Sequence, residues 1–351
     1  MADWITGREI ILGIKKASTW RSSVTLEAGD GLVISKESIG TKAPSFVDDT
    51  SLGVPDVGRT IQVAESVTGA SIEGLLRYEG WDLLLALALG AAGTPSNVEG
   101  AAYSNTYSAA ENLAGLFATL AIKKANTAKG IWEVPSVKIT GFTISGRVGE
   151  LVKVIINFMG NKIEIANPLN SDLSSVTYPE GMTKDTVARM DNQFKIRMNA
   201  QGGSALTDSD KIFPSEFELV YERPFEEQFE AGFSDMSEPV QSDFASATIK
   251  LTFDKYNLDD FTSAIADEAD KKMDLTFTGP IITGSTRYTF RVDLPKVTWQ
   301  SAAADVNGPG LIKHVVDGKL LRSDSAPEGM TGVLGPVSVS VINERAQSPL
   351  A

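Results

Sequence analysis

The 351-residue sequence contains no cysteine and one histidine, His314. Without cysteine the chain can form neither disulfides nor thiolate metal sites. His314 lies in an apolar stretch, where packing is a simpler interpretation than catalysis, and no Gly-x-Ser-x-Gly motif accompanies it. Glycine motifs that bind phosphates or dinucleotides are also missing. The sequence therefore predicts no enzyme, no metal site and no cofactor.

Long hydrophobic runs and clusters of basic residues are missing as well. The most apolar run, 83–93, has about half the length needed to cross a bilayer and favours a core helix. The formal net charge of −13 disfavours binding to nucleic acid or to anionic membranes. The N-terminal residues lack the basic and apolar regions of a signal peptide. We therefore predict a soluble protein made in a cytoplasm, with no membrane partner.

The clearest structural signal is a strand pair between residues 132 and 160. Apolar and polar residues alternate there, as in strands with one buried face. The phase of this alternation slips by one residue after Gly141, and an extra residue beside a glycine indicates a β-bulge. The segment 146–149 predicts the turn. The apolar positions of this hairpin are Val137, Ile139, Phe142, Ile144, Val152, Val154 and Ile156.

The same layout returns 160 residues later. Pro295 matches Pro135, and a Gly/Pro turn at 307–310 stands where 146–149 stood. The apolar positions of this second hairpin are Val297, Trp299, Leu311 and Val315. Such internal similarity is the signature of a repeated unit.

Other features recur in the same order. Long loops rich in Pro, Gly and acidic residues occupy 40–59 and 223–239, and helices are predicted at 81–89 and 258–272. The chain length suits two domains of roughly 150 to 180 residues. We therefore predict a mainly β protein with two tandem copies, residues 1–185 and 186–351.

Further elements are predicted in the first copy, and one of them has a counterpart in the second. Short strands are expected at 23–26 and 32–35, and the strand at 217–221 is matched to the second of them. Residues 91–112 are expected to form an exposed loop, which lengthens the first copy between its helix and its hairpin.

The order of these features resembles the tail tube proteins of tailed bacteriophages. The stretch Lys15-Lys16-Ala17-Ser18-Thr19-Trp20 comes first, followed by a strand pair and a long loop. A strand and helix through Tyr78 and Trp81 follow, and then the hairpin that begins Val134-Pro135-Ser136-Val137. The resemblance covers most of residues 10–165 and, more weakly, 190–320. It rests on the order of the features, because none of them is a strict motif.

The resemblance implies a β-sandwich or half-barrel with a flanking helix in each copy. It implies subunits that close into rings through their hairpins, and rings that stack into a tube for DNA. The long loops would reach the neighbouring ring. Carried onto this sequence, the inter-ring contact residues are Lys42, Pro44, Phe46, Asp48, Asp49, Pro55, Asp56, Arg223, Phe225, Glu226, Glu227, Phe229 and Phe233.

Physical arguments add to what the resemblance implies. Open strand edges must be covered or paired, and head-to-tail pairing around a closed rotation gives a ring. If rings of the family hold six domains, three two-domain chains close one ring. A lumen lined with carboxylates would let DNA slide, because lysine–phosphate contacts would hold it. The implied partners are further copies of the chain, a tape measure protein and tail-end proteins, within the tail of the virion.

Two other interpretations stay open. The chain could be another virion β-sandwich, a decoration or receptor-binding protein, for which Phe225, Phe229 and Phe233 are a partial hint. Core packing or ring contact explains those phenylalanines equally well. An enzyme could use a carboxylate pair, although alternation along a strand predicts a solvated acidic face. The carboxylates concerned are Glu216, Glu218, Glu222, Glu226, Glu227 and Glu230.

Overall fold

A computed structural model describes most of the chain, and strands dominate it. The described residues are 6–7, 9–48, 59–62, 64–127, 129–183, 186–255, 260–304, 306 and 311–351. Strands hold 49% of the residues and helices 6%, so the mainly β prediction is confirmed. In the N-terminal part the strands are β1 (Leu12–Ala17), β2 (Lys36–Ser38), β3 (Ser45–Asp48), β4 (Arg59–Gln62), β5 (Val67–Leu75), β6 (Gly90–Ala92), β7 (Ser96–Glu99), β8 (Ala102–Ala109), β9 (Phe117–Lys123), β10 (Ile131–Arg147) and β11 (Lys153–Gly160). In the C-terminal part they are β12 (Phe194–Ala200), β13 (Lys211–Ile212), β14 (Glu216–Glu222), β15 (Phe225–Gln228), β16 (Ser237–Gln241), β17 (Ser246–Phe253), β18 (Lys271–Thr283), β19 (Thr286–Ala303), β20 (His314–Leu320) and β21 (Ser338–Asn343). The helices are α1 (Asp82–Leu89), α2 (Glu180–Thr183) and α3 (Asp260–Ala266).

The long strand β10 organises the sheet of the N-terminal half. Its first part pairs with β9, which also pairs with β1, and its second part pairs with β11. β11 continues the sheet to β5, and β5 to β2. The predicted hairpin is therefore confirmed, and its register shifts between Ile139 and Gly141, where the bulge was predicted.

The C-terminal half repeats these ladders. β19 pairs with β18 and then with β20, and the sheet continues to β17 and β14. The pair Val137–Gly160 recurs as Val297–Leu320, and the second bulge, between Trp299 and Ser301, also lies 160 residues after the first. The division into domains 1–185 and 186–351, with its boundary in the polar stretch 167–185, stays a prediction.

Residues that lie opposite one another on neighbouring strands form a row across the sheet, and such rows cross corresponding strands in the two halves. The row Glu37–Ile72–Ile156–Phe142 crosses β2, β5, β11 and β10. The row Phe217–Leu251–Val316–Ala302 crosses β14, β17, β20 and β19 in the same way. β14 therefore corresponds to 36–42, and the predicted match of this strand to 32–35 was wrong.

Two ladders join the halves to each other. The second part of β10 pairs with β14, from Gly141–Glu222 to Arg147–Glu216. β21 pairs with β19 on one side and with β8 on the other. One large hydrophobic cluster runs through both halves, and a second, smaller cluster lies within the N-terminal half, formed by Leu26, Ala121, Ile131, Leu173 and Val176.

Three local predictions were wrong. Residues 91–112 hold most of β6, and β7 and β8, rather than an exposed loop, because β8 pairs with β21 of the other half and β6 and β7 pair with β8. The strands predicted at 23–26 and 32–35 are absent. Between these two ranges Gly31 forms an isolated bridge with Gly13, and β2 begins at Lys36. β1 was not predicted, because its sequence LGIKKA lacks alternation.

The helix predictions succeeded for α1 and partly for α3. α1 ends at Leu89, and Gly90 follows with a left-handed φ of 101°, as its sequence predicts. The second helix was predicted to reach Lys272, but α3 ends at Ala266 and β18 begins at Lys271. Its predicted start at 258 lies outside the described residues.

Buried polar contacts hold α1 against β21 of the other half. Asp82 is 2% exposed and accepts hydrogen bonds from the Tyr107 hydroxyl at 2.6 Å and the Asn343 amide at 3.0 Å. Glu79 lies beside them, and burial, with the nearby charges of Asp82 and Glu344, raises its pKa to about 7. The junction of the two halves therefore holds a carboxyl group that stays protonated well above its ordinary range.

This carboxyl group should make stability depend on pH. In the unfolded chain Glu79 has its ordinary pKa of 4.5, whereas in the folded protein its pKa is about 7. Because the unfolded chain releases this proton at lower pH, the folded protein loses stability as pH rises from about 5 to 8. We expect Glu79→Gln to match the wild type at pH 5 and to exceed it at pH 8 by roughly 1–2 kcal/mol, allowing for partial exposure. Denaturant unfolding at both pH values measures this. Glu150→Gln, in the exposed turn after β10, is the control, and an equal loss for Glu79→Gln at both pH values would contradict the assignment.

Candidate functional site

Two long loops leave the sheet at the same end. One runs from 39 to 66 between β2 and β5 and carries the β3–β4 hairpin, and the other runs from 223 to 245 between β14 and β17 and carries the β15–β16 hairpin. We call this end of the sheet the loop end. The opposite end, formed by 148–152, 213–215 and 254–255, is the turn end. β14 has seven residues, so the two ends are separated by roughly 20 Å.

The two loops contact each other at the loop end. The Lys42 ammonium lies 3.3 Å from a Glu227 carboxylate oxygen. Glu65 bridges to Asp235, and Lys42 bridges to Ser66. The loops therefore form one continuous surface although they come from different halves.

The predicted inter-ring residues fall into four groups: exposed, half-buried, not fully described, and, for Arg223 alone, buried. Phe46, Phe229 and Phe233 are exposed by 62%, 44% and 54%, and Lys42, Pro44 and Glu226 are also exposed. Phe225 and Glu227 are half-buried. Asp49, Pro55 and Asp56 lie outside the described residues, and of Asp48 only the backbone is described.

Arg223 differs from the other predicted contact residues because it is 5% exposed. Its guanidinium donates to the carbonyl oxygens of Leu89 and Ala110, at 3.0 and 2.7 Å, and to the Tyr221 hydroxyl at 2.8 Å. Such a group has no surface to offer a neighbouring molecule. It holds the base of the 223–245 loop on the N-terminal half.

Arg21 is a functional residue that sequence analysis missed. Its guanidinium donates to Asp235 at 2.9 Å, to Glu230 at 3.2 Å and to the Ser237 hydroxyl at 2.8 Å. It also lies 3.8 Å from the centre of the Phe233 ring. Its φ of 68° is rare for a residue other than glycine, and these contacts hold it there.

Lys138 is a third basic residue that fastens this loop. It is 1% exposed, and its ammonium lies 2.5 Å from a Glu238 carboxylate oxygen. Arg21, Lys138 and Arg223 thus hold the hairpin, the far strand and the base of the loop. The loop is therefore a preformed structure on the body of the protein, and no local sequence signal identified its anchors.

The predicted ring-forming side chains lie mostly in the core. Both hairpins are described except for the turn at 307–310, and Leu311 is 75% exposed while Val315 is half-buried. The buried members are Val137, Ile139, Phe142, Ile144, Val152, Val154, Ile156, Val297 and Trp299. What these hairpins offer to a neighbour is therefore the backbone edge of a strand rather than these side chains.

Within the described part of the chain, the strand edges that lack a partner include β2 and the end of β19. β2 pairs with β5 alone, and residues 301–303 of β19 pair with β20 alone. β14, the counterpart of β2, is paired on both sides. β2 has three residues and β14 has seven, as expected for an edge strand without its neighbour.

Eight neighbouring strands, in the order β2, β5, β11, β10, β14, β17, β20 and β19, share one exposed face that carries charges of both signs. In one row Lys153, Ser145, Glu218, Lys250 and Asp317 follow one another across neighbouring strands. Opposite charges on adjacent strands attract each other. The acids of this face are Glu73, Glu216, Glu218, Glu222 and Asp317, and the bases are Lys36, Arg147, Lys153, Lys250 and Lys319.

The described residues offer no metal site and no membrane-spanning helix. They contain no group of three or more His, Cys, Asp or Glu side chains that could hold a metal ion. None of their helices has the length and apolar character needed to cross a bilayer. His314 is 1% exposed and packs near the rings of Phe253 and Phe261.

Removing the Arg21 side chain should loosen the 223–245 loop. We expect Arg21→Ala to increase hydrogen exchange across β15 and β16 at least about tenfold, because losing these hydrogen bonds costs on the order of 1–3 kcal/mol. Exchange in β17 should change little. Arg147→Ala, which removes an exposed ion pair with Glu216 at 3.0 Å, is the control. Equal exchange of the loop in both variants would refute the anchoring role.

Comparison with known proteins places the chain in a family. The model of the phage tail tube protein family matches residues 7–320. A comparison with curated individual proteins finds no match. The matched region begins before β1 and ends with β20, so it includes both halves of the sheet and both long loops. The chain therefore belongs to the phage tail tube protein family and is a structural subunit of a bacteriophage tail tube.

Proposed function

We propose that three copies of this chain close one ring, that rings stack into a tube, and that DNA passes through its lumen during ejection. In this proposal residues 1–185 and 186–351 are two copies of one tube-forming unit. The observation that carries it is the β10–β14 ladder. This ladder is a joint between two such units, built inside a single chain.

The same joint can be repeated between chains. The β10–β14 ladder pairs residues 141–147 with 216–222. Residues 301–307 lie 160 positions after the first set, and 36–42 lie 180 positions before the second. These counterparts include two of the edges that lack partners. The end of β19 in one chain would therefore pair with the segment 36–42 of the next chain, which begins with β2, opposing Ser301 to Lys42, Ala302 to Thr41 and Ala303 to Gly40.

Ring closure follows from the kind of contact. β2 and the end of β19 are different surfaces, so their pairing is head-to-tail and continues from chain to chain until a rotation closes it. Closure covers the open edges, which would otherwise favour uncontrolled association. The resemblance to rings of six units, with two units in each chain, gives three chains.

In this ring the mixed-charge face of the eight strands would line the lumen. Among the described residues of that face, five acids accompany five bases, so the lining we propose is charge-balanced rather than acidic as sequence analysis predicted. Lys250 lies between Glu218 and Asp317 on the neighbouring strands. Basic groups that already face acids hold DNA phosphates weakly, which permits sliding.

We assign no catalytic role to the chain. Its further partners would be a tape measure protein inside the tube and the proteins at the two tube ends, with assembly in the host cytoplasm. A receptor-binding function is less well supported, because two of the three phenylalanines that hinted at it have contacts within the chain. Phe233 lies under Arg21, and Phe225 is half-buried with its ring 5.8 Å from the Lys138 ammonium.

Introduced cysteines can test the ring joint, since the chain has none of its own. The double variant Gly40→Cys, Ala303→Cys places the two thiols directly opposite each other on one face. An added Cβ at Gly40 meets no atom within 4 Å. After oxidation of assembled particles we expect covalent species of two and three chains on a denaturing gel, and none larger.

The control shifts one thiol by a single residue. In Gly40→Cys, Ala302→Cys the two side chains point to opposite faces of the sheet, so they should not cross-link. Equal cross-linking in both variants, or a ladder that continues beyond three chains, would overturn the proposed joint.

A further inference from the structure

Two phenylalanines stand out because they are almost fully exposed. Phe244 is 90% exposed and Phe213 is 82% exposed, the two highest values among the large apolar side chains of the described residues. Neither belongs to the predicted contact residues or to the strand edges. Exposed aromatic groups of this size mark interaction sites when a complementary surface exists.

Their positions exclude ring closure as the explanation. Phe213 precedes β14 at the turn end, and Phe244 precedes β17 at the loop end. β14 and β17 are paired on both sides within the chain. Pairing of β2 with β19 therefore leaves both phenylalanines uncovered, at opposite ends of two adjacent strands.

Phe213 borders a cleft that can receive an aromatic ring. The cleft has a volume of about 400 Å³, whereas a cavity of about 150 Å³ suffices to bind benzene. It opens between the two halves at the turn end. Its apolar lining is Val148, Met190, Phe194, Ile212, Pro214 and Phe253.

Lys255 at the cleft, where it lies beside Asp254, and Asp243 before Phe244 are exposed charges of opposite sign. Lys195, Lys211 and Lys255 contribute to the cleft, together with Asp191 and Asp254. Asp208 already pairs with Lys195 and Lys211, whereas Lys255 is exposed at the rim. Phe244 directly follows Asp243, which is exposed, and the segment 224–245 contains no lysine or arginine.

We propose that Phe244 of one ring inserts into the Phe213 cleft of the next ring, with Asp243 meeting the lysine rim. This inference rests on the proposed function, because it supplies the contact by which rings would stack. A second copy of the chain is the occupant we favour, since plug and cleft lie at opposite ends of one sheet. Repetition of such a head-to-tail contact along the tube axis does not close and yields a filament.

The contact is specific to the C-terminal half. The counterpart of Phe213 is Val33, 180 positions earlier, and the counterpart of Phe244 is Glu65, 179 positions earlier. Both are half-buried. A ring of three chains would thus carry three plugs and three clefts rather than six, which fixes the rotation of each ring relative to the next.

Tube length and ring mass test this contact separately. We expect Phe244→Asp and Phe213→Asp to give rings of unchanged mass in native mass spectrometry, while tubes in negative stain become at least about tenfold shorter. Both sites are exposed, so unchanged circular dichroism should confirm folding. Phe244→Leu should restore elongation because it keeps an apolar plug. Val98→Asp, at a 48% exposed position of β7, is the matched control.

The outcomes distinguish the inference from the proposed function. If both aspartate variants form tubes of normal length, the proposed Phe244 contact is wrong, and the proposed ring of three chains is not affected. The same result would follow if only a tail-end protein occupied the cleft. Absence of rings in the wild-type protein would overturn the proposed function itself.

Discussion

The hydrogen bonds of strand edges are the constraint on which the rest of this structure depends. Every backbone amide and carbonyl in a sheet needs a partner, and a long edge without one invites pairing with another chain. This chain satisfies one such edge internally, where β14 pairs with β10. The equivalent edge of the N-terminal half is β2, and its counterpart on the C-terminal half is the end of β19. In the proposed two-copy arrangement, the β10–β14 ladder is the template for the pairing between chains.

A joint of this kind is useful only if the two halves are held in fixed orientation. The continuous core and the contacts of Asp82 with Tyr107 and Asn343 provide this rigidity. The long loop of the C-terminal half is fixed in the same way, through Arg21, Lys138 and Arg223. The surfaces proposed for lateral and axial contact would therefore both be preformed, which would lower the entropic cost of assembly.

The sequence predicted those parts of the fold that have strong local signals. Alternation with a phase slip at Gly141 located the hairpin and its bulge, and an apolar run ending at Gly90 located α1. β8 was missed because its buried positions include Ala102 and Asn105, which carry little apolar signal, and because its partner comes from the other half. Pairing of this kind is decided by contacts across the whole chain.

Surface properties were harder to predict for the same reason. The net charge suggested an acidic lining, but it does not show which strand faces which, and Lys250 turns out to lie between Glu218 and Asp317. Arg21 gave no signal because its partners lie more than 200 residues away. Phe213 and Phe244 are single aromatic residues outside any recognisable motif, and only their exposure distinguishes them.

A density map of the assembled tube tests the central claim most directly. The account predicts rings of three chains whose inner wall is a continuous barrel, with eight strands from each chain. At each joint between chains, β19 should pair with β2 so that Ala303 opposes Gly40. A map in which β2 or the end of β19 faces solvent, or in which these strands pair in another register, would contradict it.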